Sequence, residues 1–412
     1  MSTEKPLWHG VLLVAGGAVG AGMFALPTVS AGAWMLLSVA GLLLVWLMTY
    51  WAASLLTKVN LALVSQGQGG LGHNSSFGSL VLAVLGPRWA AVNNVSIVFI
   101  MMILMYAYIS AGASIISYSL QSIGFEVSPD ARNWLSLGFA AVVALIVWLG
   151  TSIVSRVTLV LMVAMALTFG VATAGILPSV DLSTLTSPTN TFPYLLGALP
   201  AYVTAFACAG LVPSLVRHYA AQPKRVSQSI LWGTILVLAV YLFWLLVTLG
   251  SIGREGFIEV IAAGGNIGDL VAALVNTGAN PTLQARLNVF SHCAIITSFL
   301  SVGLGLFHFT QDKLALGNDA SQRLIAVACC FVPPALGSFF LPYGFVHAIG
   351  YAGFFVAFSF FILPGVMALT IKTNYRLAIS KLMPYVVIVF GLLVLVLKSA
   401  LVLSWLPSFG TI

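Results

Sequence analysis

The most restrictive feature of this chain is the length of its stretches without a charged residue. Residues 6–57 carry no Asp, Glu, Lys or Arg, and residues 324–371 carry none either. A helix needs about 20 apolar residues to cross the hydrocarbon core of a bilayer, so each stretch has room for two such helices. Only 6% of the 412 residues are charged, against about 25% in an ordinary soluble domain. We therefore expect lipid to surround most of the chain, which excludes a soluble enzyme, a secreted disulfide-rich domain and a disordered protein.

The charged residues divide the chain into eleven predicted membrane spans. Residues 6–57 give two helices, residues 324–371 give two more, and residues 382–406 give the last. Six further stretches give one helix each: 89–125, 133–155, 157–180, 182–216, 226–253 and 287–311. Between the second and third spans, residues 59–87 are polar, and we interpret them as an internal loop with one short surface helix at Phe77–Leu85.

The distribution of basic residues predicts the orientation. With a cytoplasmic N-terminus, twelve Lys and Arg residues fall in inner loops and three fall in outer loops, which obeys the positive-inside rule. The eleven spans then leave the C-terminus in the periplasm. One charge, Lys398, falls inside a span, where its side chain either extends toward the outer interface or faces the helix bundle.

The remaining composition indicates no cofactor or nucleic acid. The basic residues are scattered rather than clustered, so the net charge of +7 does not predict a nucleic-acid surface. The four cysteines lie in apolar stretches without metal-ligand spacing. We expect no metal and no obligate protein partner, only the lipid bilayer and a small substrate.

Two predicted spans contain interruptions. Residues 16–22 include four glycines, each about 1 kcal/mol less favourable than alanine in a helix, and Pro27 follows them. In the sixth span, residues 205–210 are small or weakly helical and Pro213 follows. Unwound backbone survives in a membrane only where it lines a cavity or is buried in protein. The alternative is that the small residues only allow close helix packing.

The positions of these interruptions predict the architecture. The first span opens one group of five helices and the sixth opens the next, an arrangement typical of transporters with an inverted repeat. We therefore predict an all-α polytopic membrane protein with one repeat at residues 1–177, a second at 178–381 and an extra helix at 382–412.

Two spans carry polar stripes, which either pack against neighbouring helices or line a transport path. The eighth span has Ala294, Ser298, Ser301, Gly305 and His308 on one face. The third span has Tyr106, Ser110, Ser114 and Ser117 on one face. His308 is a candidate for the coupling site, because histidine can take up a proton near neutral pH.

Several of these segments resemble a known family. Residues 20–27 (GAGMFALP), 106–111, 297–300 and 349–353 are similar to motifs of the bacterial hydroxy and aromatic amino acid permeases, and 264–267 resembles the tryptophan-specific branch. The resemblance implies a LeuT-type fold with broken first and sixth helices in the bacterial inner membrane. It also implies import of an aromatic amino acid, tryptophan before tyrosine or phenylalanine, by proton symport. The substrate-binding residues it implies are Ala18, Val19, Gly20, Ala21, Gly22, Met23, Tyr106, Tyr108, Ser110, Phe206, Ala207, Cys208, Ala209, Gly210, Ser298 and Ser301.

The chain departs from the family pattern at three places. Met165 replaces a lysine, His308 replaces an aspartate, and residues 207–210 lack the usual histidine. The joint loss of the lysine and the aspartate suggests that an ion pair of the family is absent, so sodium coupling or altered coupling remains an alternative. The change at residues 207–210 leaves a small neutral or hydroxy amino acid as an alternative substrate. An intramembrane enzyme is disfavoured because neither HExxH nor GxSxG is present. A channel is disfavoured because no charged ring or filter-like segment is present.

Overall fold

The structure, a computed structural model, describes residues 5–67, 76–186, 192–278, 281–371 and 381–410. Within these ranges the protein is helical, with no strand, and ten helices are long and apolar enough to cross a membrane. Counting the bent pair at the start as one more gives eleven, so a polytopic all-α membrane protein is confirmed. We number the spans first to eleventh. Their helices are Leu7–Ala18 with Ala25–Ser30, Trp34–Ser65, Pro87–Gln121, Pro129–Leu149, Thr151–Ile176, Phe192–Ala205 with Val212–His218, Pro223–Ala262, Pro281–Lys313, Ala320–Phe340, Phe345–Ala357 with Leu363–Thr370, and Met383–Val402.

Successive spans run in opposite directions, so the bundle has two ends. We call them the Leu7 end, where the first span begins, and the Trp34 end, where the second begins. At the Leu7 end the rings of His9 and His218 lie 6.0 Å apart, joining the first span to the end of the sixth. At the Trp34 end the Trp34 indole N–H donates to the Thr184 carbonyl at 2.7 Å.

The burial pattern is that of a membrane bundle. Large apolar side chains on the fourth and fifth spans, such as Leu145, Leu159 and Leu167, are exposed on the outer surface of the bundle. Exposed apolar surface of this extent suits lipid rather than water. Inside, some buried hydroxyl groups bond to their own helix, as Thr248 does to the Trp244 carbonyl at 2.8 Å. Other buried hydroxyl groups bond between helices, so polar side chains also join separate spans.

Two helices of two or more turns lie outside the spans in the described part of the chain. Phe77–Leu85 is helical as predicted, and Ser76 and Ser79 form a capping box at its start. The seventh helix bends at Gly253, whose φ of 72° belongs to the left-handed region that glycine tolerates. Beyond this bend the chain reaches a second short helix, Ile267–Gly278, at the Trp34 end.

The one charge of the eleventh span faces the bundle. Lys398 is only 8% exposed, and its ammonium lies 3.8 Å from the centroid of the Tyr351 ring. Of the two interpretations that the sequence left open, the structure therefore favours the inward-facing one.

Candidate functional site

The backbone of the first span unwinds at the glycine-rich segment. The first helix ends at Ala18, Val19 and Gly20 are extended, and the chain resumes as a single 3₁₀ turn at Ala21–Phe24. The two helical parts are inclined by 52°. Gly20 is required by a close approach, because a Cβ there would lie 2.3 Å from the Ser298 hydroxyl oxygen.

The sixth span is interrupted beside it, in a different way. Its helix ends at Ala205, residues 206–208 are non-helical, and a 3₁₀ turn at Ala209–Leu211 leads into Val212–His218. The Ala207 N–H still donates to the Thr204 carbonyl at 3.1 Å. This interruption is therefore a tightened turn, whereas the first is a stretch of extended backbone.

A buried tyrosine of the seventh span joins the two interruptions. The hydroxyl oxygen of Tyr241 lies 2.8 Å from the Ala18 carbonyl oxygen and 2.8 Å from the Ala205 carbonyl oxygen. Both carbonyls end a helix, where backbone oxygens lack intrahelical donors. Tyr241 was not predicted from the sequence, because a single tyrosine in an apolar span carries no pattern of its own.

A cavity of about 240 Å³ lies between the two interruptions and the third, fifth, eighth and tenth spans. We call it the central cavity. Among the described residues that line it, none is Asp, Glu, Lys, Arg or His. Of the predicted site residues it is lined by Ala18, Val19, Gly20, Gly22, Tyr108, Ala207, Ser298 and Ser301. The others, which lie outside this lining, are Ala21, Met23, Tyr106, Ser110, Phe206, Cys208, Ala209 and Gly210.

The central cavity offers hydrogen-bond donors without formal charge. The buried Gly20 N–H has no hydrogen-bond partner among the described residues, and neither does the Tyr108 hydroxyl. The Ser298 hydroxyl accepts a hydrogen bond from the Ala21 N–H at 2.9 Å and keeps its own hydrogen to donate. Such donors suit a carboxylate, while the carbonyls at the two helix ends suit an ammonium group. The arrangement can therefore hold a zwitterion.

The polar stripe of the third span contributes to closure rather than to this lining. The Tyr106 hydroxyl donates to the Leu341 carbonyl at 2.7 Å, and the Ser110 hydroxyl lies 2.5 Å from the Pro342 carbonyl oxygen. The Ser114 hydroxyl accepts from the Gly268 N–H at 3.1 Å. This face thus holds one loop and the start of a short helix against the third span at the Trp34 end.

Two other predicted residues have partners away from the cavity. The His308 ring nitrogen lies 3.1 Å from the Thr151 hydroxyl, at the Leu7 end. The Phe206 ring packs edge-on against Tyr241, with centroids 5.1 Å apart.

Threonines supplement the predicted serines. Thr204 and Thr297 line the central cavity, and the Thr204 hydroxyl donates to the Ile349 carbonyl at 2.8 Å. Thr204 lies one residue before the end of its helix. The sequence offered one signal for these two threonines. Thr204 directly precedes the predicted interruption at residues 205–210, and Thr297 directly precedes Ser298.

Comparison with known proteins gives matches along nearly the whole chain. Residues 3–398 match the sequence model of the tryptophan/tyrosine permease family. A tryptophan-specific transport protein of Pseudomonas aeruginosa (strain UCBPP-PA14) is 37% identical over 418 residues, covering 99% of this chain and 98% of that protein. A low affinity tryptophan permease of Escherichia coli (strain K12) is 32% identical, covering 97% of each chain. A tyrosine permease of Enterobacter agglomerans is 31% identical, covering 99% of each.

Proposed function

This chain belongs to the tryptophan/tyrosine permease family, and we propose that it imports an aromatic amino acid, tryptophan first, by proton symport with alternating access. It is a permease rather than an enzyme. Relatives named for tryptophan transport are 37% and 32% identical to it, and a relative named for tyrosine is 31% identical. Tyrosine and phenylalanine are therefore the next substrates to test.

The central cavity carries the proposal. Its unpaired Gly20 N–H and Tyr108 hydroxyl would receive the substrate carboxylate, and the Ala18 and Ala205 carbonyls would receive the ammonium. Met162 and other apolar side chains of the same lining would contact the aromatic ring. Because none of the described residues that line the cavity is charged, a neutral zwitterion is favoured over a charged substrate.

We also propose the LeuT-type arrangement of two inverted five-helix repeats, residues 1–177 and 178–381, with an extra helix from 382. The support is the 52° bend in the first span and the interruption at the corresponding position of the sixth. The Leu7 end would face the cytoplasm and the Trp34 end the periplasm of a bacterium, with the protein in the inner membrane. The excess of Lys and Arg in loops at the Leu7 end supports this orientation.

His308 is the proposed coupling residue. No Asp, Glu, Lys, Arg or His lines the described central cavity, so the proton must be carried outside it. His308 lies on the same helix as Ser298 and Ser301, and it contacts Thr151 at the start of the fifth span. Protonation of His308 would place a positive charge beside the fifth helix, which flanks the cavity together with the eighth.

The direct test is uptake of labelled tryptophan into proteoliposomes. An inward proton gradient is imposed with the membrane potential clamped, and sodium is varied separately. We expect saturable uptake that the proton gradient accelerates and that unlabelled tyrosine and phenylalanine inhibit. Uptake that depends on the sodium gradient and not on pH would identify sodium as the coupling ion. Absence of uptake for every aromatic amino acid would reject the proposed substrate class.

The role of His308 is tested with His308→Ala, using Thr151→Val as the matched control for the lost hydrogen bond. The alanine variant should keep tryptophan exchange while losing acceleration by the proton gradient, since exchange needs no net proton movement. Thr151→Val should keep that acceleration. An unchanged pH dependence in His308→Ala would assign the histidine a structural role.

A further inference from the structure

A second cavity, of about 400 Å³, lies at the Trp34 end. We call it the Lys398 cavity. It is enclosed by the final part of the first span, the starts of the sixth and tenth, the end of the seventh with the residues after it, and the eleventh span with the segment after it. Its aromatic and cationic lining residues are Tyr194, His347, Tyr351, Lys398 and Phe409. Its volume falls within the range of about 300–1,000 Å³ that is usual for ligand pockets.

The ammonium of Lys398 is the unusual group in this cavity. The side chain is 92% buried, and no described acidic residue pairs with it or lines the cavity. The Tyr351 ring, 3.8 Å away, meets only one side of the charge. An ammonium carries three hydrogen-bond donors, and a buried charge without an opposite charge is costly. The cavity therefore contains an unpaired cation that an anionic oxygen would stabilise.

The rest of the lining suits an aromatic body attached to that anion. The rings of Tyr194 and Phe409 meet edge-on, with centroids 5.8 Å apart, and both line the cavity. Val29 and Val346 add apolar surface from the first and tenth spans. A lysine beside aromatic rings matches the carboxylate and side chain of an aromatic amino acid.

The Lys398 cavity is in series with the central cavity. Ala201 lines the former and Ala205 the latter, one helical turn apart on the sixth span. On the tenth span, Gly350 lines the Lys398 cavity, and the adjacent Ile349 lines the central cavity. The hydrogen bond from Thr204 to the Ile349 carbonyl lies at this boundary. Neighbouring residues of the sixth and tenth helices therefore line both cavities.

We propose that the Lys398 cavity is a second binding site for the substrate, in which Lys398 binds the carboxylate of an aromatic amino acid before it enters the central cavity. This inference rests on the proposed function. It requires the sixth and tenth helices to separate at the Thr204–Ile349 contact before the substrate moves inward.

The first experiment measures tryptophan uptake kinetics in Lys398→Met, Lys398→Arg and Val396→Met. Val396 is an exposed residue two positions away on the same helix, so it is the matched control for the new side chain. We expect Lys398→Met to raise KM about tenfold with Vmax within about twofold, because a charge-assisted hydrogen bond is lost. Lys398→Arg and Val396→Met should stay near the wild-type KM. A normal KM in Lys398→Met, or a fall in Vmax alone, would overturn the proposal.

The second experiment needs no Lys398 variant, so it tests the proposal even if Lys398→Met fails to insert into the membrane. A small water-soluble acylating reagent modifies lysines, and mass spectrometry follows Lys398 with and without tryptophan. Tryptophan should slow acylation several-fold, whereas tryptamine, which lacks the carboxylate, should not. The protection should persist in Gly20→Ala, which alters the central cavity.

Three results separate the possibilities. Protection that disappears in Gly20→Ala would mean that Lys398 only senses the central site, which rejects the second site. Protection by anionic phospholipid in the liposomes, but not by tryptophan, would assign the cavity to a lipid phosphate and likewise reject it. If wild-type protein transports no aromatic amino acid, the proposed function fails, and the acylation result still reports separately on Lys398.

Discussion

The interruptions of the first and sixth spans lie side by side and are built differently. The first exposes extended backbone at Val19 and Gly20, and its geometry depends on a glycine pressed against Ser298. The sixth keeps turn-like hydrogen bonds, such as that from Ala207 to Thr204. Its glycine, Gly210, has more room, since a Cβ there would lie 3.2 Å from the edge of the Phe360 ring.

This difference indicates that the two interruptions have different roles in the site. The extended stretch leaves the buried Gly20 N–H without a partner among the described residues, so it is suited to bind a ligand. A tightened turn satisfies most of its own groups and mainly shapes the wall. The first interruption should therefore tolerate substitution poorly, and the sixth should tolerate it better.

The largest effect is expected from Gly20→Ala. The added Cβ would lie 2.3 Å from the Ser298 hydroxyl, which must move and release the Ala21 N–H. A displacement of about 1 Å at a reacting or binding group can cost about a hundredfold in rate, and we expect a loss of that order in tryptophan uptake.

Gly22→Ala is the matched control, because a Cβ there meets nothing closer than 3.9 Å. It should transport nearly normally, whereas Gly22→Leu should block uptake by filling the cavity while still inserting into the membrane. The double variant Gly20→Ala with Ser298→Ala should transport better than Gly20→Ala alone, because the clashing oxygen is gone. Equal loss in the two alanine variants at Gly20 and Gly22 would contradict the steric argument.

Tyr241→Phe should have an intermediate effect, since it removes the hydroxyl shared by both interruptions. Leaving a buried carbonyl without a donor costs about 1–3 kcal/mol, so the melting temperature should fall and uptake should drop about tenfold. The measurements are thermal unfolding in detergent and initial uptake rates.

The control for that variant is Tyr202→Phe, which also removes a buried hydroxyl, here one bonded to Ser30 at 2.7 Å. Because this pair touches neither interruption, stability should fall with a much smaller change in uptake. Equal uptake losses in the two variants would show that Tyr241 has no special relation to the interruptions.

The smallest effect is expected from Gly210→Ala. The nearest atoms belong to the Phe360 ring, which can move by a few tenths of an ångström. Uptake should fall by no more than about twofold. A loss as large as that of Gly20→Ala would erase the distinction between the two interruptions.

The sequence allowed much of the fold to be predicted, because lipid imposes strong constraints. The lengths of the charge-free stretches set the number of spans, and the short helix Phe77–Leu85 followed from a mostly apolar segment of nine residues in a polar loop. The glycines of residues 16–22 located the first interruption. The sequence did not predict whether Lys398 faces the bundle, since the environment of a side chain on a helix depends on neighbours distant in sequence.

The candidate site was less predictable for the same reason. Ser298 and Tyr108 line the central cavity, but Tyr106, two residues from Tyr108, bonds to a loop at the Trp34 end instead. Two residues along a helix correspond to a rotation of about 200°, so the pair cannot share one face. The role of Tyr241 could be found only from the structure, because its two hydrogen-bond partners are 223 and 36 residues away in sequence.

The hydroxyl of Tyr241 has fewer hydrogens than it has carbonyl neighbours. It carries one hydrogen, and two carbonyl oxygens lie at 2.8 Å from its oxygen. The hydrogen can point fully at only one of them, so the other receives less. As the hydroxyl rotates, either the Ala18 or the Ala205 carbonyl is left without a full hydrogen bond. A ligand ammonium, which carries three hydrogens, would supply the donor that this carbonyl lacks.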